Sequence, residues 1–323
     1  MIFTILRAYA ELSHRVKAGD RASERTTILC IEEPELYLHP HFQRTFMSTL
    51  RQIAGSENQV IYSTQSNYFV NVAYFDEVCV MRRIQAENGF ESYPTQLSIK
   101  DLIEDLKVRK GVDASEGGIR EQYYNAFNLM VNEGFFADKV IIVEGPSERY
   151  SLPYYSLALR FDLDRNNIAI VQSDGKGQMD RLLRVFNGFK IPTYVIFDGD
   201  KENSDPEVKR KTLELLELLG KPVDRIEDVQ TMTTDSFTVF EKKFEVTLGE
   251  EFNQLETLLS RAVENIGPCG KPLKHRFVAR MIKDCADNAD LTYTVPATIE
   301  LIIEKIRDLS YSGSILRNDH QSQ

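Results

Sequence analysis

The stretch that decides the fold is Lys139-Val-Ile-Ile-Val-Glu-Gly-Pro-Ser-Glu148, followed further along the chain by Pro192-Thr-Tyr-Val-Ile-Phe-Asp-Gly-Asp200. Each segment is an apolar run of strand length that ends in acidic residues. Buried carboxylates repel one another unless a positive charge lies between them, and the simplest such charge is a hard divalent cation with oxygen ligands. The two segments therefore predict neighbouring strands whose ends form a metal site.

The residues around these segments alternate between predicted strands and predicted helices. The strands are expected at 139–143, 168–171 and 193–197, and the helices at 147–160, 178–187 and 206–219. Short links between alternating strands and helices predict a parallel sheet, with ligand sites beyond the carboxyl ends of its strands. The turn Gly175-Lys176-Gly177 follows the second strand. Its lysine is expected either to be solvated or to contact a phosphate.

Composition limits the class of protein. The chain has 323 residues, a formal net charge of −10, and 42% hydrophobic and 27% charged residues, which allows two or three domains with real cores. The acidic charge argues against a nonspecific nucleic-acid coat, but not against a nuclease whose acids hold metal ions. A secretory signal is not expected from the N-terminal residues, and no apolar run is long enough to span a bilayer. The four cysteines show no paired spacing, Cys30 and Cys79 are expected to be buried in strands, and a reducing cytoplasm is favoured.

A second motif lies nearer the N-terminus, in Thr27-Ile-Leu-Cys-Ile-Glu-Glu-Pro-Glu-Leu-Tyr-Leu-His-Pro40. A buried strand at 28–31 runs into Glu32 and Glu33, and a helix at 41–54 and strands at 59–64 and 77–81 follow. In nucleotide hydrolases, acids at such a strand end order magnesium and polarise the attacking water. The alternative is that the two glutamates only cap the strand.

The segment over residues 1–85, which begins with a predicted helix at 1–18, resembles the C-terminal half of an ABC-type ATPase head. The closest resemblance is to the OLD (overcoming lysogenization defect) group. It implies a Walker B pair at Glu32 and Glu33, and it puts Gln65 where the family has a switch histidine. The chain has neither a phosphate-binding G-x-x-x-x-G-K-[ST] loop nor an ABC signature. We therefore expect a truncated chain or one that relies on a partner, with ATP a ligand only if missing sequence or a partner completes the head.

The region from about 138 to 225 resembles the TOPRIM domain of topoisomerases, primases and OLD nucleases. A glutamate after the first strand, a Gly-Lys turn after the second and Asp-x-Asp after the third carry this resemblance. It implies that two Mg²⁺ (or Mn²⁺) ions are bound by Glu144, Glu148, Asp198 and Asp200. Each of these acids taken alone is more often a cap or a solvated acid than a metal ligand, and it is the set of four in this order that favours a metal site.

Beyond residue 219 the resemblance implies two further site residues. Glu245 is the candidate for another metal-binding acid, with Glu241 as the alternative. Lys271, in a Gly-Lys-Pro turn before a predicted helix at 273–285, is the candidate to stabilise the transition state of phosphodiester cleavage. Asp235 is a further loop acid without a strong claim.

The predicted fold class is α/β, with a partial ABC-type ATPase head followed by a Rossmann-like TOPRIM sheet and a C-terminal helical region. The expected domains are an ATPase part, a connector, a TOPRIM domain, a helical part of the nuclease and a flexible tail, at 1–85, 86–136, 137–235, 236–310 and 311–323. The connector is expected to hold a hairpin around Asn88-Gly89 and helices at 98–107 and 119–132. A last helix is expected at 297–309.

The resemblance implies a magnesium-dependent DNA endonuclease of the OLD type, with a place in phage defence. Its expected partners are DNA and either a second copy or a partner ATPase chain, with no membrane. Two alternatives stay open. One is a non-catalytic regulatory fragment that binds a partner, and the other is a HAD-like phosphatase that uses Asp198 as its nucleophile.

Overall fold

The computed structural model describes residues 27–55, 58–86, 89–124, 126, 128–288 and 292–316. The chain divides into two compact units, one up to Asn71 and the other from Val72 onward. The helix predicted over residues 1–18 lies outside the described residues. No helix in the described ranges combines the length and the apolar character needed to cross a membrane.

The first unit contains a pair of parallel strands and one helix. These are β1 (Thr27–Glu32), α1 (Pro40–Ile53) and β2 (Asn58–Ser63), close to the predicted positions. β1 and β2 pair in parallel from Thr27 opposite Asn58 to Glu32 opposite Ser63. One face of the pair packs on α1, where Phe46, Leu50 and Ile53 are buried together with Phe69.

The expectation that β1 is a buried strand, with Cys30 inside, is wrong for one of its two faces. Cys30 is exposed, and so are Ile28 and Ile61 on the same face, at 57% and 59% of their surface. Successive strand residues point to opposite faces, and α1 covers only one face of this pair. Cys79 is exposed too, because the third strand begins at Val80 and not at 77 as predicted.

The second unit begins with an antiparallel hairpin and two helices. β3 (Val80–Ala86) pairs with β4 (Gly89–Thr95), which confirms the predicted hairpin. α2 (Ile99–Lys110) ends at Gly111 in the left-handed conformation, and α3 (Glu116–Tyr124) follows. The helix predicted to continue to residue 132 therefore ends earlier, and a single 3₁₀ turn, Asn132–Phe135, leads into the central sheet.

The central sheet has five strands in the order β6-β5-β7-β9-β8. The strands are β5 (Lys139–Val143), β6 (Ile168–Gln172), β7 (Thr193–Asp198), β8 (Met232–Thr233) and β9 (Phe237–Phe240). β5 is parallel to both β6 and β7, β7 is parallel to β9, and β8 is antiparallel to β9. The predicted parallel sheet is confirmed, and β8 and β9 extend it.

Helices cover both faces of this sheet. They are α4 (Pro146–Ala158), α5 (Lys176–Gly188), α6 (Pro206–Leu218), α7 (Phe244–Glu251), α8 (Leu255–Ile266), α9 (Lys271–Asp287) and α10 (Ala297–Asp308). Ile141 and Val143 of β5 share one core with α4, α9 and α10. Val140 faces the opposite way, and a side chain on Gly134 would touch both Val140 and Phe186 of α5.

The segment that follows α10 differs from the flexible tail expected from residue 311. Leu316 is buried, the N–H of Ile315 donates to Asn187 Oδ1 at 2.8 Å, and the carbonyl of Ile315 accepts from Arg109 at 2.6 Å. An apolar residue and two backbone partners thus hold residues 315 and 316 against the unit.

Candidate active site

The ends of β5 and β7 bring two acids side by side. Glu144 follows β5 directly and Asp198 is the last residue of β7, and these strands pair with Val143 opposite Ile196. The backbone N–H of Asp198 donates to Glu144 Oε2 at 3.0 Å. Asp198 Oδ1 in turn accepts the backbone N–H of Phe244 at 2.7 Å. The parallel register therefore places both carboxylates at one edge of the sheet.

Gly199 allows Asp200 to reach the same place. A Cβ atom at Gly199 would lie 2.5 Å from the carbonyl oxygen of Phe240 and 2.7 Å from that of Glu241. Asp200 has a left-handed backbone, with φ +52°, and its side chain is largely buried. The close approach of two backbone segments explains why the middle residue of Asp-Gly-Asp has no side chain.

Lys176 bridges two of the acids. Its Nζ lies 3.1 Å from Glu144 Oε1 and 2.5 Å from Asp200 Oδ2, and the lysine side chain is only 2% exposed. Burial alone would lower the pKa of Lys176, but the attraction of Glu144 and Asp200 outweighs it and raises the pKa. The expectation of a solvated lysine is wrong, because the first turn of α5 points this side chain at the carboxylates. Contact with a phosphate stays a prediction.

Glu148 lies in the first turn of α4 and is 4% exposed. Its carboxylate lies over Gly145, where a Cβ atom would be 3.3 Å from Glu148 Oε2. Burial, and then repulsion by Asp198, Glu245 and Glu144, raise the pKa of Glu148 to about 8. Burial and then the charge of Glu144 likewise raise the pKa of Asp198 to about 7. Burial, with the repulsion of the neighbouring acids added to it, keeps Glu148 and Asp198 partly protonated near neutral pH.

Glu245 is the fifth acid at this edge of the sheet. Within the described part of the chain, it is the one of the five that pairs with a partly exposed lysine. Its Oε1 lies 2.9 Å from Lys271 Nζ and also accepts the hydroxyl of Ser147 at 2.9 Å. Burial would raise the pKa of Glu245, but the bonds from Lys271 and Ser147 lower it overall. Glu241 points elsewhere and pairs with Lys201 at 2.9 Å. We call Glu144, Glu148, Asp198, Asp200 and Glu245 the carboxylate cluster.

His275 is a buried residue near the cluster that the sequence analysis missed. It lies one turn after Lys271 on α9, is 2% exposed, and packs against the ring of Phe244. Its Nδ1 has no hydrogen-bond partner in the described part of the chain. Burial lowers its pKa, so the ring is neutral at pH 7. Helical spacing from Lys271 is the one signal that could have indicated it.

The donors of the carboxylate cluster fit a hard divalent cation. All five side chains offer oxygen ligands. Burial and then mutual repulsion raise the pKa values of Glu148 and Asp198, and a bound cation would relieve that repulsion. Over the described ranges, no three His, Cys, Asp or Glu side chains are arranged as a metal site. The ammonium of Lys176 lies between Glu144 and Asp200 instead, so metal binding would require this lysine to move.

In the first unit, the structure brings Glu33 and Gln65 together. Gln65 Nε2 donates to Glu33 Oε1 at 2.7 Å, and the backbone N–H of Gln65 donates to Glu35 Oε1 at 2.7 Å. Glu33 has φ +43° and follows β1, whereas Glu32 is the exposed last residue of that strand. The residue in the place of the switch histidine therefore contacts the second acid of the predicted Walker B pair.

Comparison with known families identifies the two parts of the chain. Residues 135–200 match the TOPRIM domain of overcoming-lysogenization-defect-like proteins, and residues 1–70 match an AAA ATPase domain. The chain is thus an ATPase-type segment followed by an OLD-like TOPRIM domain. The resemblance to the OLD family and the predicted fold class are confirmed.

Curated relatives agree with these matches. The chain is 30% identical over 200 residues to the OLD nuclease of Thermus scotoductus, which covers 60% of this chain and 36% of the relative. It is 27% identical over 187 residues to the Old nuclease of Escherichia phage P2, covering 57% and 29%, and 25% identical over 216 residues to endonuclease GajA of Bacillus cereus, covering 62% and 30%. The chain spans about a third of the length of these relatives.

A solved structure, the C-terminal region of the Burkholderia pseudomallei OLD protein, is 23% identical. It matches 54% of this chain and 98% of its own chain with a TM-score of 0.38.

Proposed function

We propose that this chain is a divalent-metal-dependent DNA endonuclease of the OLD type. The observation that carries the proposal is the carboxylate cluster, in which five acids from β5, α4, β7 and α7 meet in a largely buried space beside Lys271. Relatives named as OLD nucleases and as an endonuclease support the same activity. Two Mg²⁺ or Mn²⁺ ions are the proposed cofactors, and DNA is the proposed substrate.

Each residue of the carboxylate cluster has a proposed role in phosphodiester hydrolysis. Glu144, Glu148, Asp198 and Asp200 would hold the metal ions, with Glu245 as a further ligand. Two divalent ions so held supply an activated water molecule and stabilise the leaving oxygen of the phosphodiester. An oxygen-donor set of this kind suits hard cations such as Mg²⁺ and Mn²⁺.

Lys271 is proposed to stabilise the transition state. Its side chain is 55% exposed, so a phosphate arriving from solvent can meet its ammonium, and Glu245 fixes its position at 2.9 Å. The extra negative charge of the pentacovalent phosphorus then forms next to a cation that is already oriented. Ser147 donates to the same oxygen of Glu245 and so helps to fix the position of that carboxylate.

A HAD-like phosphatase fits the geometry less well. Such an enzyme needs Asp198 as a free nucleophile, but Asp198 Oδ1 accepts the N–H of Phe244 and its pKa is raised to about 7. A carboxyl group that is partly protonated at neutral pH and already hydrogen-bonded is a weakened nucleophile. The carboxylate cluster therefore favours metal-dependent cleavage over a phosphoenzyme.

Plasmid nicking tests the proposal. Purified protein is incubated with supercoiled plasmid and either Mg²⁺ or Mn²⁺, without ATP, and relaxed and linear products are measured on gels. We expect cutting that disappears in EDTA and in the variants Glu144→Gln and Asp198→Asn. Asp235→Asn is the matched control, because Asp235 is an exposed acid paired with Lys305 away from the cluster. Folded wild-type protein that cuts with neither ion would overturn the proposal.

A further inference from the structure

A cavity of about 450 Å³ lies at the N-terminal end of α5, next to the carboxylate cluster. Helices α2, α3, α5 and α6 enclose it, so it belongs entirely to the second unit. Its volume lies within the range of about 300–1,000 Å³ that is usual for ligand sites. Lys176 lines the cavity and also bridges two acids of the cluster, so the two spaces adjoin.

The cavity wall carries an excess of positive side chains, although the chain as a whole has a net charge of −10. The cations are Lys110, Lys176, Arg181, Arg184, Arg210 and Lys211, and the carboxylates are Asp180, Glu207 and Glu214. A concave surface with one dominant sign of charge concentrates counter-ions. Asp105, Glu144 and Asp200 lie behind the wall and pair with Arg184 and Lys176, so the charge open to an anionic ligand lies on the other cations.

Ion pairs already neutralise the cations deepest in the wall. Arg184, which is 2% exposed, is held by Asp105 and Asp180. Lys110 bridges Asp180 at 2.9 Å and Glu214 at 3.1 Å. These contacts form a buried network that shapes the cavity.

Arg181 and Lys211 are less completely neutralised. Lys211 Nζ is 3.6 Å from Glu207 Oε1, an oxygen that Arg210 also contacts at 2.6 Å. The described contact of Arg181 is with a neutral group, the side-chain oxygen of Gln178, at 3.2 Å. Both cations keep charge and hydrogen-bond donors for a ligand.

The side chain of Lys211, which belongs to α6, also lies against the first turn of α5. A Cβ atom on Gly177 would be 3.7 Å from Lys211 Nζ and 3.6 Å from its Cε. Lys176, the preceding residue, reaches Glu144 and Asp200. Lys211 and Lys176 thus lie on either side of Gly177, the first facing the cavity and the second contacting the acids of the cluster.

We infer that this cavity binds a backbone phosphate of the nucleic-acid strand, next to the phosphate that is cut at the carboxylate cluster, through Arg181 and Lys211. The inference rests on the proposed nuclease function and names the part of the substrate that this surface recognises. A phosphate diester suits the site because it is a single anion with two free oxygens, which a guanidinium and an ammonium can share.

Salt-dependent binding of a fluorescein-labelled single-stranded oligodeoxynucleotide tests the inference. The full chain is titrated in Ca²⁺ at several KCl concentrations and followed by fluorescence anisotropy. Each phosphate contact on a single strand contributes about 0.7 to the slope of log affinity against log salt. Arg181→Ala and Lys211→Ala should each lower the slope by about that amount. Lys209→Ala on the same helix, which does not line the cavity, should keep the wild-type slope.

Three results would overturn the inference. They are wild-type slopes in both cavity variants, no measurable binding by folded wild-type protein, and displacement of the oligonucleotide by an equal concentration of inorganic phosphate. The binding readout is independent of cutting. If the protein cuts DNA but Arg181→Ala and Lys211→Ala bind it as wild type does, this inference alone fails. If binding depends on these two residues but no cutting occurs, the proposed function alone fails.

Discussion

The raised pKa of Glu148 makes a quantitative prediction about stability in the absence of metal. The folded protein holds a proton on Glu148 up to about pH 8, whereas the unfolded chain releases it near its ordinary value of 4.5. Because the folded state binds more protons across this window, its stability falls as the pH rises from 4.5 to 8. The effect is complete above pH 8, where Glu148 is ionised in both states.

The size of the effect follows from the shift. At about 1.4 kcal/mol per pKa unit, ionising Glu148 in the folded protein costs roughly 4 to 5 kcal/mol. For a domain of this size, about 1 kcal/mol corresponds to 2–4 °C in melting temperature, so a change on the order of 10 °C is expected. Asp198, with its pKa raised to about 7, shifts stability in the same direction.

The variant Glu148→Gln isolates this contribution, because it keeps the shape of the side chain and removes its charge. Thermal unfolding in EDTA is followed by circular dichroism at pH 5 and pH 8.5. We expect similar melting temperatures for wild type and variant at pH 5, and a variant that melts on the order of 10 °C higher at pH 8.5. The control is Glu256→Gln, an exposed acid in the first turn of α8. Parallel pH profiles for wild type and Glu148→Gln would refute the reasoning.

Three further variants follow from contacts described above. Gly199→Ala should lower the free energy of unfolding in urea by about 2–3 kcal/mol, because its methyl group meets the carbonyl of Phe240. Asp105→Ala should lower it by about 3–5 kcal/mol in the same assay, since Arg184 stays buried without that carboxylate. Lys176→Met should bind Mn²⁺ more tightly in calorimetric titrations, because no ammonium then competes for the acids.

Matched variants give these measurements their controls. Gly117→Ala tests a glycine with open space around it and an ordinary backbone conformation, and Asp113→Ala removes an exposed partner of Lys107 that contributes little. Gly199→Ala with wild-type stability would contradict the close backbone contact. A loss of stability in Asp105→Ala that is no larger than the loss in Asp113→Ala would contradict the buried ion pair. Unchanged Mn²⁺ affinity in Lys176→Met would show that the lysine does not compete with metal.

The strands that carry the acids could be predicted from sequence because their signal is local. Residues 139–143 and 193–198 are continuous apolar runs, and parallel strands covered on both faces have this pattern. β9 was missed because Phe237-Thr-Val-Phe240 is short and contains a polar residue, although every one of its residues is buried. Its place beside β7 depends on tertiary pairing, which no local pattern reports.

The site itself was predictable as a set of residues but not as an arrangement. Strand-end position placed Glu144, Asp198 and Asp200 together, since parallel strands end at the same edge of a sheet. The burial of Lys176 depends on how the first turn of α5 packs on the sheet. The sequence Gly-Lys-Gly does not indicate whether its lysine is buried or solvated. The exposure of one face of β1 could not be predicted either, because an apolar run does not indicate whether one face of the strand or both are covered.

The helix that begins at Lys271 shares its core with the helix that carries Glu148. Val278 and Ile282 of α9 and Leu152 and Tyr155 of α4 belong to the same buried cluster. A chain is synthesised from its N-terminus, so the ribosome releases the acids of β5 and β7 before Lys271. Lys176 can pair with Glu144 and Asp200 before then, but Glu245 has no lysine partner until α9 docks. The docking of α9 thus supplies the cation that pairs with Glu245.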